Sequence, residues 1–363
     1  MTIAYAEEYR DPAIAQSLVR QIKAASARPI RLMEVCGTHT MAIFRHGIRA
    51  LLPEIISLLS GPGCPVCVTA QGDIDAFVEL SRMPNVTLAT FGDLMRVPGS
   101  GSSLQRETAE GADVRVVYSP LDAVSLAAEA PDREVVFLGV GFETTAPTIA
   151  AALLSARKMN LTNFSIYCAH KTVPTALNAL MDNPQVQIDG FLLPGHVSVI
   201  IGLNAYRPFF DRYQTPGVVA GFEPVDVLRG ILALVTMIEA GKPELDNGYP
   251  RAVTAQGNLQ AQQVMADAFE PTDAQWRGLG VIPGSGLSIR AELEAFDAVK
   301  RFGLEVADTP EPKGCACGEI LSGTKTPPQC ALFRKKCSPM HPVGPCMVSS
   351  EGTCAAYYRY SSQ

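Results

Sequence analysis

No block of basic residues occurs in this chain, and its 30 Lys and Arg are outnumbered by 36 Asp and Glu, giving a net charge of −6. Nucleic acid is therefore not an expected partner, since phosphate binding needs clustered cations. Long hydrophobic runs are missing too. The longest, such as ILALVTMIEA at 231–240, fall well short of the about 20 residues that span a bilayer, so no membrane association is expected. The opening MTIAYAEEYRDP is acidic and has no apolar signal core, which makes the cytoplasm the expected location. Charge of either sign is sparse, at 18% against 47% hydrophobic residues, which excludes a disordered chain and implies large buried cores. No Walker-type phosphate loop occurs, and GSGLSIR at 284–290 lacks the lysine it would need, so nucleotide hydrolysis is not inferred.

Cysteine is plentiful. Three of the ten lie early (Cys36, Cys64, Cys67), one mid-chain (Cys168), and six between 315 and 354. In a reducing compartment such clusters point to metal or redox sites rather than structural staples.

Apolar runs alternate with helical stretches over the first 240 residues. Strands are predicted at 30–35, 56–59, 86–90, 114–118, 134–140, 164–169, 190–193 and 217–220. Helices are predicted at 11–26 and near 39–50, 72–82, 121–130, 145–158, 173–182 and 225–240. This pattern predicts an α/β fold with two Rossmann-like parallel-sheet domains, divided as 1–125 and 126–240. A mixed domain, 241–363, follows. In it, helices near 254–268 and 290–301 flank GLGVIPGSGLSIR, and a Pro-, Gly- and Cys-rich tail has the character of a small iron–sulfur module. Gly-Phe-Glu recurs at 141–143 and 221–223, each time between a strand and a helix.

Within RLMEVCGTHTMAIFRHGI (31–48), Cys36 falls at a strand end, Gly37 permits a turn and Thr38 is a candidate helix N-cap. A thiol at a helix N-terminus is expected to favour its thiolate. His39 is placed to donate to it or to share its metal, whereas His46 reads as a helix-face residue. GPGCPVC (61–67) follows another predicted strand. Because strand ends of a parallel sheet share one edge, Cys36, His39, Cys64 and Cys67 are expected to face one cleft. Cys36 alone also reads as a buried apolar residue. The Cys-x-x-Cys pair reads as half a zinc site or, with a proline restricting the loop, as a reversible disulfide.

In the tail, twelve residues separate Cys317 from Cys330, six separate Cys330 from Cys337, and sixteen separate Cys337 from Cys354. Cysteines on Pro- and Gly-rich loops suit a thiolate-ligated [4Fe–4S] cluster, with a four-cysteine zinc site as the alternative. Cys315 and Cys346 compete for ligand positions, and His341 reads as a surface residue or a neighbour of the ligands rather than a ligand itself.

Five motifs in order, CGTHT, GPGCPVC, GFETTAPT, PGHVSVIIG and GPCMVSSEGTCAAYY, resemble the HypD family of hydrogenase maturation factors over about residues 14–360. The resemblance implies a scaffold that works with the small chaperone HypC. On that scaffold an iron acquires two cyanides and one carbon monoxide before the Fe(CN)2CO unit passes to the large subunit of a [NiFe] hydrogenase. Cyanide would come from HypE with HypF. Cys36 would be the thiolate on the transient iron, with His39 beside it. Cys64 and Cys67 would be the redox pair, and Cys317, Cys330, Cys337 and Cys354 the ligands of a [4Fe–4S] cluster. Glu143 and His196, at predicted strand ends, either line this cleft or are a helix-capping glutamate and a buried histidine. Cys168 and His170 share that ambiguity. This reading is of an assembly scaffold with redox capacity rather than a turnover enzyme. An iron–sulfur-dependent disulfide oxidoreductase is the alternative, and a zinc-stabilised binding protein a third reading.

Overall fold

The computed structural model describes residues 7–361, so the first half of the acidic N-terminal stretch and the last two residues lie outside the described residues. All eight expected strands are present: β1 Ile30–Glu34, β2 Ile56–Ser60, β3 Val86–Thr90, β4 Val114–Val116, β5 Glu134–Gly139, β6 Phe164–Cys168, β7 Gly190–Pro194 and β8 Gly217–Ala220. A short β9, Leu245–Asn247, adds to β8. The central strands are short and buried along their length, as parallel strands covered on both faces are, and all nine pair in parallel. Among the described residues no helix is long and apolar enough to cross a membrane.

Two parallel sheets result, ordered β2-β1-β7-β8-β9 and β4-β3-β5-β6. Their membership does not follow a linear division of the chain. β4 and β5 lie on either side of residue 125 yet share a sheet, and β7 to β9 return to β1 after the whole second sheet has been built. The second lobe is thus inserted into the first. A parallel pair needs only a crossover connection, and the length of that crossover does not fix which strand it returns to.

The first lobe is held by two long helices. Helix Pro12–Ala25 begins at Asp11, whose carboxylate accepts from the N–H groups of Ala13 and Ile14 (2.7 and 3.3 Å). Its Leu18, Val19 and Ile22 share a core with Ile231, Leu234 and Val235 of helix Pro224–Ala240.

Around GLGVIPGSGLSIR the expected helices are only partly found. Helix Leu259–Ala268 is present, but an antiparallel hairpin, β10 Phe269–Trp276 and β11 Gly280–Ile289, occupies the middle. Pro271, Pro283 and a break in register between Thr272 and Ala274 interrupt the alternation by which such strands are recognised. Trp276, fully buried, donates its indole N–H to Ser285 Oγ (2.7 Å) and faces Phe142 of the second lobe (ring centroids 6.0 Å).

From 310 the chain has short helices, Cys317–Leu321 and Thr353–Tyr360, joined by irregular turns. The last helix packs on helix Gly37–Arg45 through the edge-on pair Phe44–Tyr357 (4.6 Å), with Arg49 over the Tyr357 ring. One apolar cluster takes in Val66, Phe142, Trp276 and Ile320, so the second lobe, the Cys64–Cys67 turn, the hairpin and the cysteine-rich tail pack as one body.

Candidate functional site

Four loops meet at one edge of the first sheet, because parallel strands end there together. They are 35–36 after β1, 61–67 after β2, 195–196 after β7 and 221–222 after β8. The chain leaves β1 toward β2 on one side and β7 toward β8 on the other. The crevice between β1 and β7 is therefore the switch point at which ligands bind in open α/β sheets. Cys36 stands at that point. His196 joins it there, whereas Glu143, paired with it in the sequence reading, follows β5 in the second sheet.

Cys36 occupies the N-cap of helix Gly37–Arg45 without a side-chain capping bond. Thr38 does not cap the helix as expected. Its hydroxyl donates to Glu351 Oε1 (2.6 Å), a carboxylate delivered by the C-terminal segment. Gly37 N–H donates to Gly63 O (2.9 Å), and a Cβ at Gly63 would collide with the Cys36 backbone, so only glycine brings the two loops this close. Below them the buried Glu34 accepts from Cys36 N–H (3.1 Å) and from the Thr40 hydroxyl. The expected activation of the thiol is overturned. Burial, with Glu351 and Glu34 adding negative charge, pushes Cys36 up to about 12, against the N–H groups of His39 and Thr38.

His39 is completely buried, and its Nε2 lies 3.0 Å from Gly221 O. A carbonyl only accepts, so Nε2 carries the proton, and Nδ1 has no partner among the described residues. Burial lowers this imidazole to about 4, which keeps it neutral. Its ring packs on Phe222 (4.7 Å), and Phe222 meets the exposed ring of His196 (3.9 Å). His196 is thus neither buried nor hydrogen-bonded in a core, and the three rings lead inward from the surface.

Cys64 and Cys67 are joined as a disulfide across the short helical turn Pro65–Val68. Pro65 presets that turn, and Cys67 N–H donates to Cys64 Sγ (3.2 Å). The Ser349 hydroxyl lies 3.3 Å from Cys64 Sγ and donates to Asp93 Oδ2 (3.1 Å), which also accepts from Ser350 N–H (3.0 Å). Asp93 follows β3, so segment 349–351 ties the edges of both sheets to the disulfide. The sequence reading missed Glu34, Asp93, Phe222, Ser349 and Glu351. Three carried a signal, since Ser349 and Glu351 sit inside GPCMVSSEGTC, and Phe222 belongs to the second Gly-Phe-Glu.

The six late cysteines line a single enclosed pocket. Cys317 and Cys346 share a hydrogen bond across 3.1 Å. Among the described residues no three His, Cys, Asp or Glu side chains converge on one point as they would around a single ion. A cubane distributes its four thiolates over four irons, so thiols spread around an apolar pocket, with no carboxylate or imidazole among them, fit that donor set. His341 is exposed, as expected.

Glu143 accepts from Val173 N–H (3.0 Å) at the start of helix Val173–Asp182, and its Oε2 has no partner among the described residues. It therefore serves a neighbouring helix rather than its own. Burial raises this carboxyl to about 7, against hydrogen bonds from its own and the Val173 backbone. Because the folded pKa lies above the unfolded one, the stability it contributes is complete below about pH 4.5 and is lost as pH rises through about 7. Glu143→Gln is expected to flatten that decline, by an amount on the order of 3 kcal/mol at most. Urea unfolding at fixed pH values across this window checks it, and an unchanged slope contradicts it. Cys168 sits 3.1 Å from His170 Nδ1 and 3.0 Å from Leu287 O, pushed up to about 12 by burial.

The family profile described as "HypD: Hydrogenase formation hypA family" matches residues 13–361. The hydrogenase maturation factor HypD of Azotobacter vinelandii is 49% identical, over 99% of this chain and 97% of its own. Proteins of the same name from Rhodobacter capsulatus and Escherichia coli K12 are each 46% identical. The first match covers 98% of both chains, the second 99% of this chain and 98% of its own.

Proposed function

Because the chain belongs to the HypD family of hydrogenase maturation factors, we propose that it is the scaffold on which the Fe(CN)2CO unit of a [NiFe] hydrogenase is assembled, in complex with HypC. HypE with HypF would deliver the cyanide, and the hydrogenase large subunit would receive the product. One observation carries this reading: Cys36, at the switch point of the first sheet, is packed against the loop of the Cys64–Cys67 disulfide, which in turn touches the cysteine-rich lobe through Ser349.

Cys36 supplies the chain's thiolate to the iron, a soft donor suited to a metal carrying cyanide and carbonyl. Its high thiol pKa means that binding releases a proton there. His39 stays neutral and orients Phe222, which with His196 forms the wall of the entry. Cys317, Cys330, Cys337 and Cys354 would hold a [4Fe–4S] cluster, with Cys315 and Cys346 at hand. When bound, that group supplies electrons one at a time. The Cys64–Cys67 disulfide takes up two electrons and two protons to become two thiols, a store placed beside the iron's thiolate.

The same adjacency favours a second reading, an iron–sulfur-dependent disulfide oxidoreductase. Serine at both Cys64 and Cys67 separates the two. A scaffold with a redox store is expected to keep Cys36 and its HypC contact while accumulating at least tenfold less cyanide-bearing iron, read by infrared bands on the purified complex. Unchanged bands remove the dithiol from assembly. Turnover of a small disulfide substrate by wild-type protein without HypC supports the oxidoreductase.

A further inference from the structure

Arg277 is a buried cation without an anion. Only 2% of it is exposed, yet among the described residues no carboxylate pairs with it. Its Nε donates to Thr69 O (3.0 Å) and its Nη2 to Gln71 Oε1 (3.1 Å), and Nη1 is buried with no partner. A guanidinium taken out of water and given only neutral acceptors is costly unless negative charge stands nearby.

Asp73, Asp308 and Glu311 line the same pocket as Arg277 without pairing with it, and its remaining neighbours are the two cysteine-bearing segments. The Arg277 backbone N–H donates to Val68 O (2.9 Å), so residue 277 is pinned to the turn that carries Cys67. On its other side, Gly278 lies against the backbone of Gly318, next to Cys317. A Cβ at Gly278 would collide with Gly318 Cα. The hairpin turn at 277–279 is thus wedged between the disulfide loop and the Cys317 segment.

We propose that Arg277 is a positioning and charge-compensating residue that locks the Cys64–Cys67 turn to the iron–sulfur lobe and makes reduction of the centre held there easier. This rests on the reading that the late cysteines hold a [4Fe–4S] cluster. One-electron reduction of such a centre adds one negative charge and no proton, and a fixed cation beside a ligand stabilises the more negative state. The hydrogen bonds to Thr69 and Gln71 hold that cation in place, as outer groups around metal ligands do.

The test is an electron paramagnetic resonance titration of the anaerobically purified full chain, with dithionite as the one-electron donor and viologen mediators. Arg277→Gln removes the charge. Gln71→Glu keeps Arg277 and its hydrogen bond but pairs the charge with a carboxylate. Both are expected to shift the midpoint to lower potential than wild type, and Arg277→Lys to restore most of the shift. Unchanged midpoints in Arg277→Gln and Gln71→Glu overturn the proposal. If Arg277→Gln does not retain its iron, Gln71→Glu decides alone. Loss of iron from both overturns it as well, since Arg277 would then only hold the lobe together. A wild-type chain with zinc or no iron–sulfur signal would sink the cluster reading itself, and that outcome is seen before any variant is compared.

Discussion

Serine in place of Cys330 is expected to bleach the anaerobically purified protein and to loosen its last fifty or so residues, about 310–361. Cys330 lines the enclosed pocket together with the other five late cysteines. This part of the chain has two short helices and several irregular turns, so little backbone pairing holds it in place. Thiolate bonds to a cluster would then carry much of its stability, as in small metal-organised modules. The expected readings are loss of the broad absorbance near ~400 nm, loss of most of the bound iron and sulfide, and faster proteolysis confined to the tail. The sheets should survive, because the core under helices Pro12–Ala25 and Pro224–Ala240 does not include the tail. Cys337→Ser should behave alike. Cys346→Ser should keep its iron, since Cys346 is a hydrogen-bond partner of Cys317, a role a serine hydroxyl can fill. Full iron in Cys330→Ser, or its loss in Cys346→Ser alone, would reassign the ligands.

Much of the fold was legible in the sequence because parallel strands buried on both faces leave unbroken apolar runs. VTLAT and EVVFLGV are strands where expected. The gathering of Cys36 and the Cys64–Cys67 loop was legible for the same reason, since strand ends in a parallel sheet share an edge. What escaped depends on order in space. That β7 pairs with β1 rather than with a strand of its own half is set by packing between distant segments, and no local pattern encodes it. His196 therefore moved from the second lobe to the Cys36 edge. The hairpin escaped because Pro271 and Pro283 mask its alternation. The state of the Cys36 thiol was misjudged because a helix N-terminus is a local cue, whereas burial and Glu351, more than three hundred positions away, outweigh it. Arg277 carried no sequence signal, since a lone arginine in a turn reads as a solvated residue until its neighbours are known.

Cys36→Ala is expected to abolish iron loading with cyanide and carbonyl while leaving the fold intact. The side chain is small, and its removal should cost no more than about 2 kcal/mol. Thr38 would still donate to Glu351 and Gly37 to Gly63 O, so the loops stay in place. Among the described residues no other thiol outside the disulfide stands at this edge, and His39 is held in place by the bond from its Nε2 proton to Gly221 O. The most direct measurement is infrared spectroscopy of the chain purified anaerobically with co-expressed HypC, wild type beside Cys36→Ala. Cyanide and carbonyl stretches fall between about 1,900 and 2,100 wavenumbers, clear of protein absorption, and report iron of the soft, thiolate-bound kind. The account predicts bands in wild type and none in Cys36→Ala. Bands of equal strength in the variant would contradict it and place the iron on other residues.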